Sequence, residues 1–285
     1  MKKIYMAMAA LLVAGAGFAQ TENNRPATDT ATDRVDTIRA GNFIIIKKSR
    51  ENGPARSTTN VSVQRKPYTP SKLSTNWWIF DLGFANVNDK TNYAGTEAQS
   101  FLRSVGRGGK PGKDDLKLRA SKSSNVNIWV VMQRLSLAKG YVNLKYGLGL
   151  EMFNFRYENS IRYNSSPHFI YKDSISFSKN KLYAGYATVP FMINLNTSPG
   201  RKKGLSLSAG ISAGYLVGSH TKEISSERGK EKTKGDLGLE KFRLAYVGEL
   251  GIGPVRLFGS YSLTKLHENG LEQYPYSLGI RFSNW

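Results

Sequence analysis

Between residues 204 and 218 the chain reads GLSLSAGISAGYLVG, and its alternate positions belong to two different chemistries. Leu205, Leu207, Ala209, Ile211, Ala213, Tyr215 and Val217 form one series. Ser206, Ser208, Gly210, Ser212, Gly214 and Gly218 form the other, broken only by Leu216. A period of two places the series on opposite faces of a β-strand. One face is apolar, while the other is too small to pack by itself and too bare for an ordinary water-facing surface. The same alternation recurs over 142–152, where Val142, Leu144, Tyr146, Leu148, Leu150 and Met152 interleave with Asn143, Lys145, Gly147, Gly149 and Glu151. Tyr276, Leu278, Ile280 and Phe282 interleave with Ser277, Gly279, Arg281 and Ser283 in the same way. Such strands suit a wall with hydrocarbon on one side and a narrow polar interior on the other.

Eight segments read as strands: 76–86, 125–136, 141–156, 181–195, 204–218, 242–252, 255–265 and 275–285. Each is about as long as, or longer than, the roughly 9–11 residues that a tilted strand needs to cross a bilayer. The links between them alternate without exception. Long ones at 87–124, 157–180, 219–241 and 266–274 are separated by the turn Ala138-Lys139-Gly140, the turn at 196–204 and the corner Gly253-Pro254. A barrel inserted from the periplasm has short turns on the inner side and longer loops outside. A soluble sandwich has no reason to sort its links by parity. The expectation for 75–285 is an all-β, eight-stranded antiparallel up-and-down transmembrane β-barrel. The pattern weakens at 125–136, where Trp129 and Val131 fall on the inward parity, and around Pro190.

The N-terminus reads as a secretory signal peptide over 1–19. MKK supplies the positive region, IYMAMAALLVAGAG an apolar stretch, and Gly17 and Ala19 the small residues before a cleavage site at Gln20. That stretch falls short of the ~20 residues of a spanning helix. Residues 20–74 are rich in Thr, Asn, Pro, Ser and charge, and are expected to be a largely irregular periplasmic segment with one short strand around Phe43–Ile46. The expected location is the outer membrane of a diderm bacterium. Export makes nucleic acid an unsuitable partner despite a formal charge of +20. With no cysteine in the chain, disulfides, thiol nucleophiles and cysteine metal sites are excluded.

The inward series carries Asp81, Lys145, Glu151, Arg243, Glu249, Arg256 and Arg281. Pairing across the 253–254 corner sets residue 249 opposite 258, which makes Arg256 a diagonal neighbour of Glu249. Asp81 and Arg281 lie on the first and last strands, which meet when the sheet closes. These seven are expected to form an ion-pair network that fills the lumen, because eight strands leave room for side chains and no aqueous bore. Trp77, Trp78 and Tyr141 at the inner ends, and Tyr157, Tyr183, Tyr215 and Tyr274 towards the outer rim, are candidates for interfacial aromatic belts.

The stretch LYAGYATVPFMINLN, with Tyr186, Pro190 and the apolar Phe191-Met192-Ile193, resembles the Tyr-x-x-x-Pro strand of PorT-like outer-membrane β-barrel proteins. NWWIFDLGFANVNDKTNYA and the upstream DTIRAGNFIIIKK are similar to members of the same group, and the resemblance covers roughly residues 76–285. It implies an outer-membrane barrel; that group's link to secretion has no residue-level match here. Trp285 departs from the family pattern, being out of phase with the outward series that ends at Phe282.

The expected role is structural or interaction-based: a monomeric barrel displaying long charged outer loops, in contact with outer-membrane lipid and lipopolysaccharide, and an accessory of a surface-export or envelope assembly with a periplasmic or envelope protein partner. Neither cofactor nor metal is expected. One alternative is a rim enzyme acting on lipid A or protein. His168, His220 and His267 all fall in outer loops, with Ser219, Glu223, Ser225 and Glu268 close in sequence, but no Gly-x-Ser-x-Gly or His-Glu-x-x-His motif accompanies them. Solvated loop histidines are the simpler reading. A second alternative is a soluble periplasmic β-sandwich binding protein.

Overall fold

The computed structural model describes residues 33–40, 43–51, 57–65, 71–199 and 204–283. The chain divides into one unit ending at Pro67 and another from Tyr68 onward. The signal peptide expected over 1–19 and the phase of Trp285 lie outside the described residues.

In the first unit, β1 (Asp33–Ala40), β2 (Phe43–Glu51) and β3 (Ser57–Arg65) form an antiparallel meander. The expectation of a largely irregular segment is corrected here. The run Phe43–Ile46 does become a strand, but a lone strand leaves its backbone groups unpaired. Flanking segments rich in the β-formers Val, Ile and Thr supply hydrogen-bonded partners on both sides.

The second unit contains β4 (Leu73–Asp89), β5 (Ser124–Ala138), β6 (Val142–Arg156), β7 (Ile161–Ser165), β8 (His168–Lys172), β9 (Lys179–Asn196), β10 (Leu205–Ser225), β11 (Gly229–Lys234), β12 (Phe242–Ile252), β13 (Val255–Ser262) and β14 (Gln273–Phe282). Eight of them, β4, β5, β6, β9, β10, β12, β13 and β14, pair antiparallel in chain order. The last returns to the first through Arg281↔Asp81 and its neighbours, so the sheet closes into a ring. This differs from the two packed sheets of a sandwich. Between β5 and β6, Lys139 and Gly140 both have positive φ, 46° and 84°, as the mirror-image hairpin turn requires. The long links hold a short helix α1 (Thr96–Phe101), the β7–β8 hairpin and β11, which continues β10 outside the ring. The expected loop at 219–241 is thus largely strand.

Alternation along β10 now has a structural meaning. Ser208 and Ser212 are buried inside the ring, whereas Leu207, Ile211 and Tyr215 are exposed outside it. Inside, small residues allow neighbouring backbones to approach. A Cβ on Gly149 would lie 2.6 Å from the Ile128 carbonyl oxygen, and one on Gly83 would lie 2.5 Å from that of Leu278. Outside, large residues such as Phe84, Phe242 and Leu278 are each about two-thirds exposed.

Where alternation fails, the backbone shifts phase. Trp78 takes φ 57°, so Trp77 and Trp78 both face outward and the inward series passes from Asn76 to Ile79. Directly across on β5 the register slips between Trp129 and Val131. Trp129 and Met132 are therefore both buried, and Val131 turns outward instead of joining the inward series. Pro190 is buried in β9 opposite Ser212. On its other side the β6 ladder is interrupted between the pairs Tyr146↔Phe191 and Gly149↔Thr188, as a residue lacking an N–H demands.

Candidate functional site

All seven charged residues of the inward series lie inside the ring, where the strands bring them into two clusters. In the lower cluster β14 and β4 set Arg281 against Asp81. Its Nε and Nη2 donate to the two carboxylate oxygens at 2.8 Å each, the planar fork geometry that makes such pairs strong. Asp81 also accepts from Trp129 Nε1 at 2.7 Å and Asn127 Nδ2 at 3.2 Å. Arg281 Nη1 continues to Glu249 at 2.7 Å, and Glu249 receives Lys145 Nζ at 2.8 Å and Arg256 Nη1 at 3.3 Å. In the upper cluster Arg243 donates to Glu151 at 2.7 Å, to Ser262 at 2.7 Å and to Ser260 at 3.2 Å, while Thr188 donates to Glu151 at 3.0 Å. Aromatic faces complete the packing, with Arg243 4.8 Å from the Phe153 ring centre and Arg281 5.4 Å from that of Trp129.

Charges taken out of water are costly unless paired and fully hydrogen-bonded. Each carboxylate here meets at least one cation, and Asp81 and Glu249 each meet three or more donors. A cavity of about 10 Å³ remains between the clusters, bounded by Asn127, Trp129, Glu151 and Arg281 among others, which is space for roughly one water.

Above the charges lies an apolar core that sequence reasoning missed. Phe153, Phe155 and Leu182 line the upper ring, and every long link adds residues to them: Phe101 and Leu102 from the first, Ile161 and Ile170 from the β7–β8 hairpin, Leu237 and Leu239 after β11, and Leu266 and Leu271 from the last. The long links are thus a folded cap rather than free charged loops. The available signal was the alternation in ENSIRYNSSPHFIYKD, which reads as a hairpin with one apolar face.

The cap also relocates the loop aromatics and histidines. Tyr157, expected at the rim, is buried with its hydroxyl 2.6 Å from that of Tyr163, which in turn lies 3.0 Å from His267 Nε2. His267 is fully buried rather than solvated, because Phe101 packs edge-on and Tyr163 stacks against it. Burial lowers its pKa to about 3. His168 is partly exposed, with Nε2 3.6 Å from Asp236, and His220 stacks on Tyr183. Ser219 and Glu223 take the opposite face of β10 from His220, so those neighbours in sequence form no catalytic arrangement with it. Ser225 accepts from Arg228 N–H, and Glu268 pairs with Lys241 at 3.4 Å. Among the described residues no group of three metal-ligating side chains converges. The other aromatic candidates stay on the outside: Trp77, Trp78 and Tyr141 are more than half exposed at the short-turn end, Tyr215 is half exposed, and Tyr274 lies beneath the Lys90 ammonium.

A closed ring of up-and-down strands, greasy outside and polar within, defines an outer-membrane type of architecture. Residues 86–268 match the model of the outer membrane protein beta-barrel domain, and the chain belongs to that family. Among solved structures it is similar to Ail, the attachment invasion locus protein of Yersinia pestis, with 14% identity, coverage of 73% of this chain and 98% of that one, and a TM-score of 0.27. No curated protein matches it.

Proposed function

We propose that the ring is an eight-stranded transmembrane barrel that acts as a monomeric, non-conducting scaffold, holding a folded cap on the outer side of the membrane. Its role on this reading is structural or interaction-based, as an accessory of a surface-export or envelope assembly, rather than enzymatic. Tyr186, Pro190 and Phe191–Ile193 support a finer kinship with PorT-like barrels. The observation that carries the reading is the double closure of the lumen, by paired charges at mid-height and by the apolar core above them. A passage for solutes needs continuous water, whereas among the described residues the charge layer keeps space for roughly one water molecule. The outward belt supports the membrane assignment, since about 40 Å of strand from Leu205 to Val217, tilted at roughly 40°, rises about 30 Å, enough for the hydrocarbon layer.

In planar bilayers the purified full chain is expected to give no steady conductance, and on gels without heating it is expected to migrate faster than its boiled form. Stable channel currents from the folded species would overturn the sealed-scaffold reading. Identical mobility before and after boiling would overturn the barrel itself.

A further inference from the structure

The strands of one wall, β6, β9 and β10, continue above the apolar belt, with β11 alongside them. A bulge between Leu216 and Gly218 changes the phase of β10. Beyond it His220 and Lys222 face outward, and Thr221 and Glu223 are buried on the other side. Register then sets Arg156 beside Lys181, Lys181 beside Lys222, and Lys222 beside Lys232. Four cations form one row across four strands, about 14 Å wide at a strand spacing of about 4.8 Å. One row further out, Lys179 and Lys230 flank Ile224; one row nearer the membrane, Tyr183, His220 and Lys234 stand side by side.

Like charges directly opposite on paired strands repel. The carboxylates of the same strands do not relieve them, because Glu223 and Glu231 take the other face, where Glu231 pairs with Arg162 at 3.2 Å. Among the described residues no carboxylate forms an ion pair with Lys179, Lys181, Lys222, Lys230 or Lys232; Lys181 donates instead to Asn154 Oδ1 at 2.8 Å. The crowding registers on the groups above the belt: burial first, then neighbouring cations, lowers Lys179 and Lys181, and the same two causes hold His220 at about 4. Directly below on the same face are exposed Tyr215, Val217 and Val189. The cation row stands about 15 Å above Tyr215 for strands tilted at 35–45°. Charge that repels within the protein, placed over a greasy belt, is complementary to a lipid with several phosphates.

We propose that this face binds the phosphorylated headgroup of lipopolysaccharide in the outer leaflet, with the acyl chains lying against the belt beneath it. The inference rests on the reading of the ring as a membrane-spanning barrel with its long links outside. A headgroup with two or more phosphates matches a row of four cations, whereas phosphatidylglycerol offers a single phosphodiester.

The test uses the full chain in detergent, titrated with bisphosphorylated lipid A, the same lipid after phosphatase treatment, and phosphatidylglycerol. The triple variant Lys181→Gln, Lys222→Gln, Lys232→Gln is compared with a charge-matched triple, Lys90→Gln, Lys110→Gln, Lys113→Gln, and with the single Lys222→Gln. Expected are a loss of about tenfold or more in affinity for bisphosphorylated lipid A in the first triple, an intermediate loss in the single variant, and a change within about twofold in the control triple. Binding by the unaltered chain is expected to weaken with salt and with removal of the phosphates. Undiminished binding by the first triple, equal loss in the control triple, or equal affinity for phosphatidylglycerol would each overturn the proposal. Heat-dependent mobility is followed in parallel, so a failure of the barrel reading registers separately from a failure of the lipid site.

Discussion

At the scale of single residues, Asp81 carries the heaviest demand. Its carboxylate is fully buried and gathers Arg281, Trp129 and Asn127. Removing one member of a buried ion pair leaves the other charge uncompensated, at about 3–5 kcal/mol, whereas replacing both by apolar groups of similar volume is close to neutral. Asp81→Asn is therefore expected to lower the temperature at which the fast-migrating form disappears on gels. The double variant Asp81→Leu, Arg281→Met is expected to recover part of the loss: Glu249 keeps Lys145 and Arg256, while the buried Trp129 Nε1 and Asn127 Nδ2 lose their acceptor. His267 gives a prediction in pH. Its ordinary pKa is 6.5, and burial in the cap lowers it to about 3. The unfolded chain then takes up a proton that the folded cap refuses, so the contribution to stability is complete above about pH 6.5 and declines as pH falls from there towards 3. Once the intrinsic base-catalysed exchange rate is divided out, amide protection factors at 237–239 and 266–271 should fall between pH 7 and 4.5, and His267→Phe should flatten that dependence. An unaltered pH profile in the variant would assign the effect to other groups.

Among elements, β14 and β4 approach each other closely. Gly279 sits opposite Gly83, and a Cβ on Gly279 would collide with the Leu82 carbonyl and the Gly83 Cα. Gly279→Ala is expected to cut sharply the yield of heat-modifiable protein. Gly259→Ala, whose Cβ would find 3.5 Å of room, is expected to leave that yield within about twofold, which refolding assays on gels can measure. The ring strands were legible because alternation and link length report the same thing independently. Leu207 and Ile211 cannot face a lumen that holds Ser208 and Ser212. What stayed hidden were the places where a backbone irregularity resets the phase. Nothing in WWI announces that Trp78 adopts a positive φ, and Val130 and Val131 look like any other strand pair until the slip beside Trp129 turns Val131 outward. The cap was hidden for another reason. Its apolar residues arrive singly or in pairs from four distant links, so no local window contains enough of them to signal a core, and His267 reads as a surface histidine until Phe101 and Tyr163 surround it.

For the molecule as a whole, the two units pose different problems. Among the described residues the N-terminal meander is three strands whose outer two, β1 and β3, pair on one side only, and such sheets accept further strands at their margins. A protein partner for it is expected to register as protection of β1 or β3 amides in the complex. Among the described residues the ring's sheet has its open edge along β11, where Lys230, Lys232 and Lys234 discourage pairing with another chain. The seam itself has a bearing on assembly. Asp81 and Arg281 belong to the first and last ring strands, 200 positions apart in the chain, and meet only when those strands do. Until then two opposite charges stand on separate margins and need solvation, so the nascent cylinder must stay wet inside. Pairing of these two strands removes that need. The bidentate contact thus works as a latch, coupling completion of the wall to the drying of its centre.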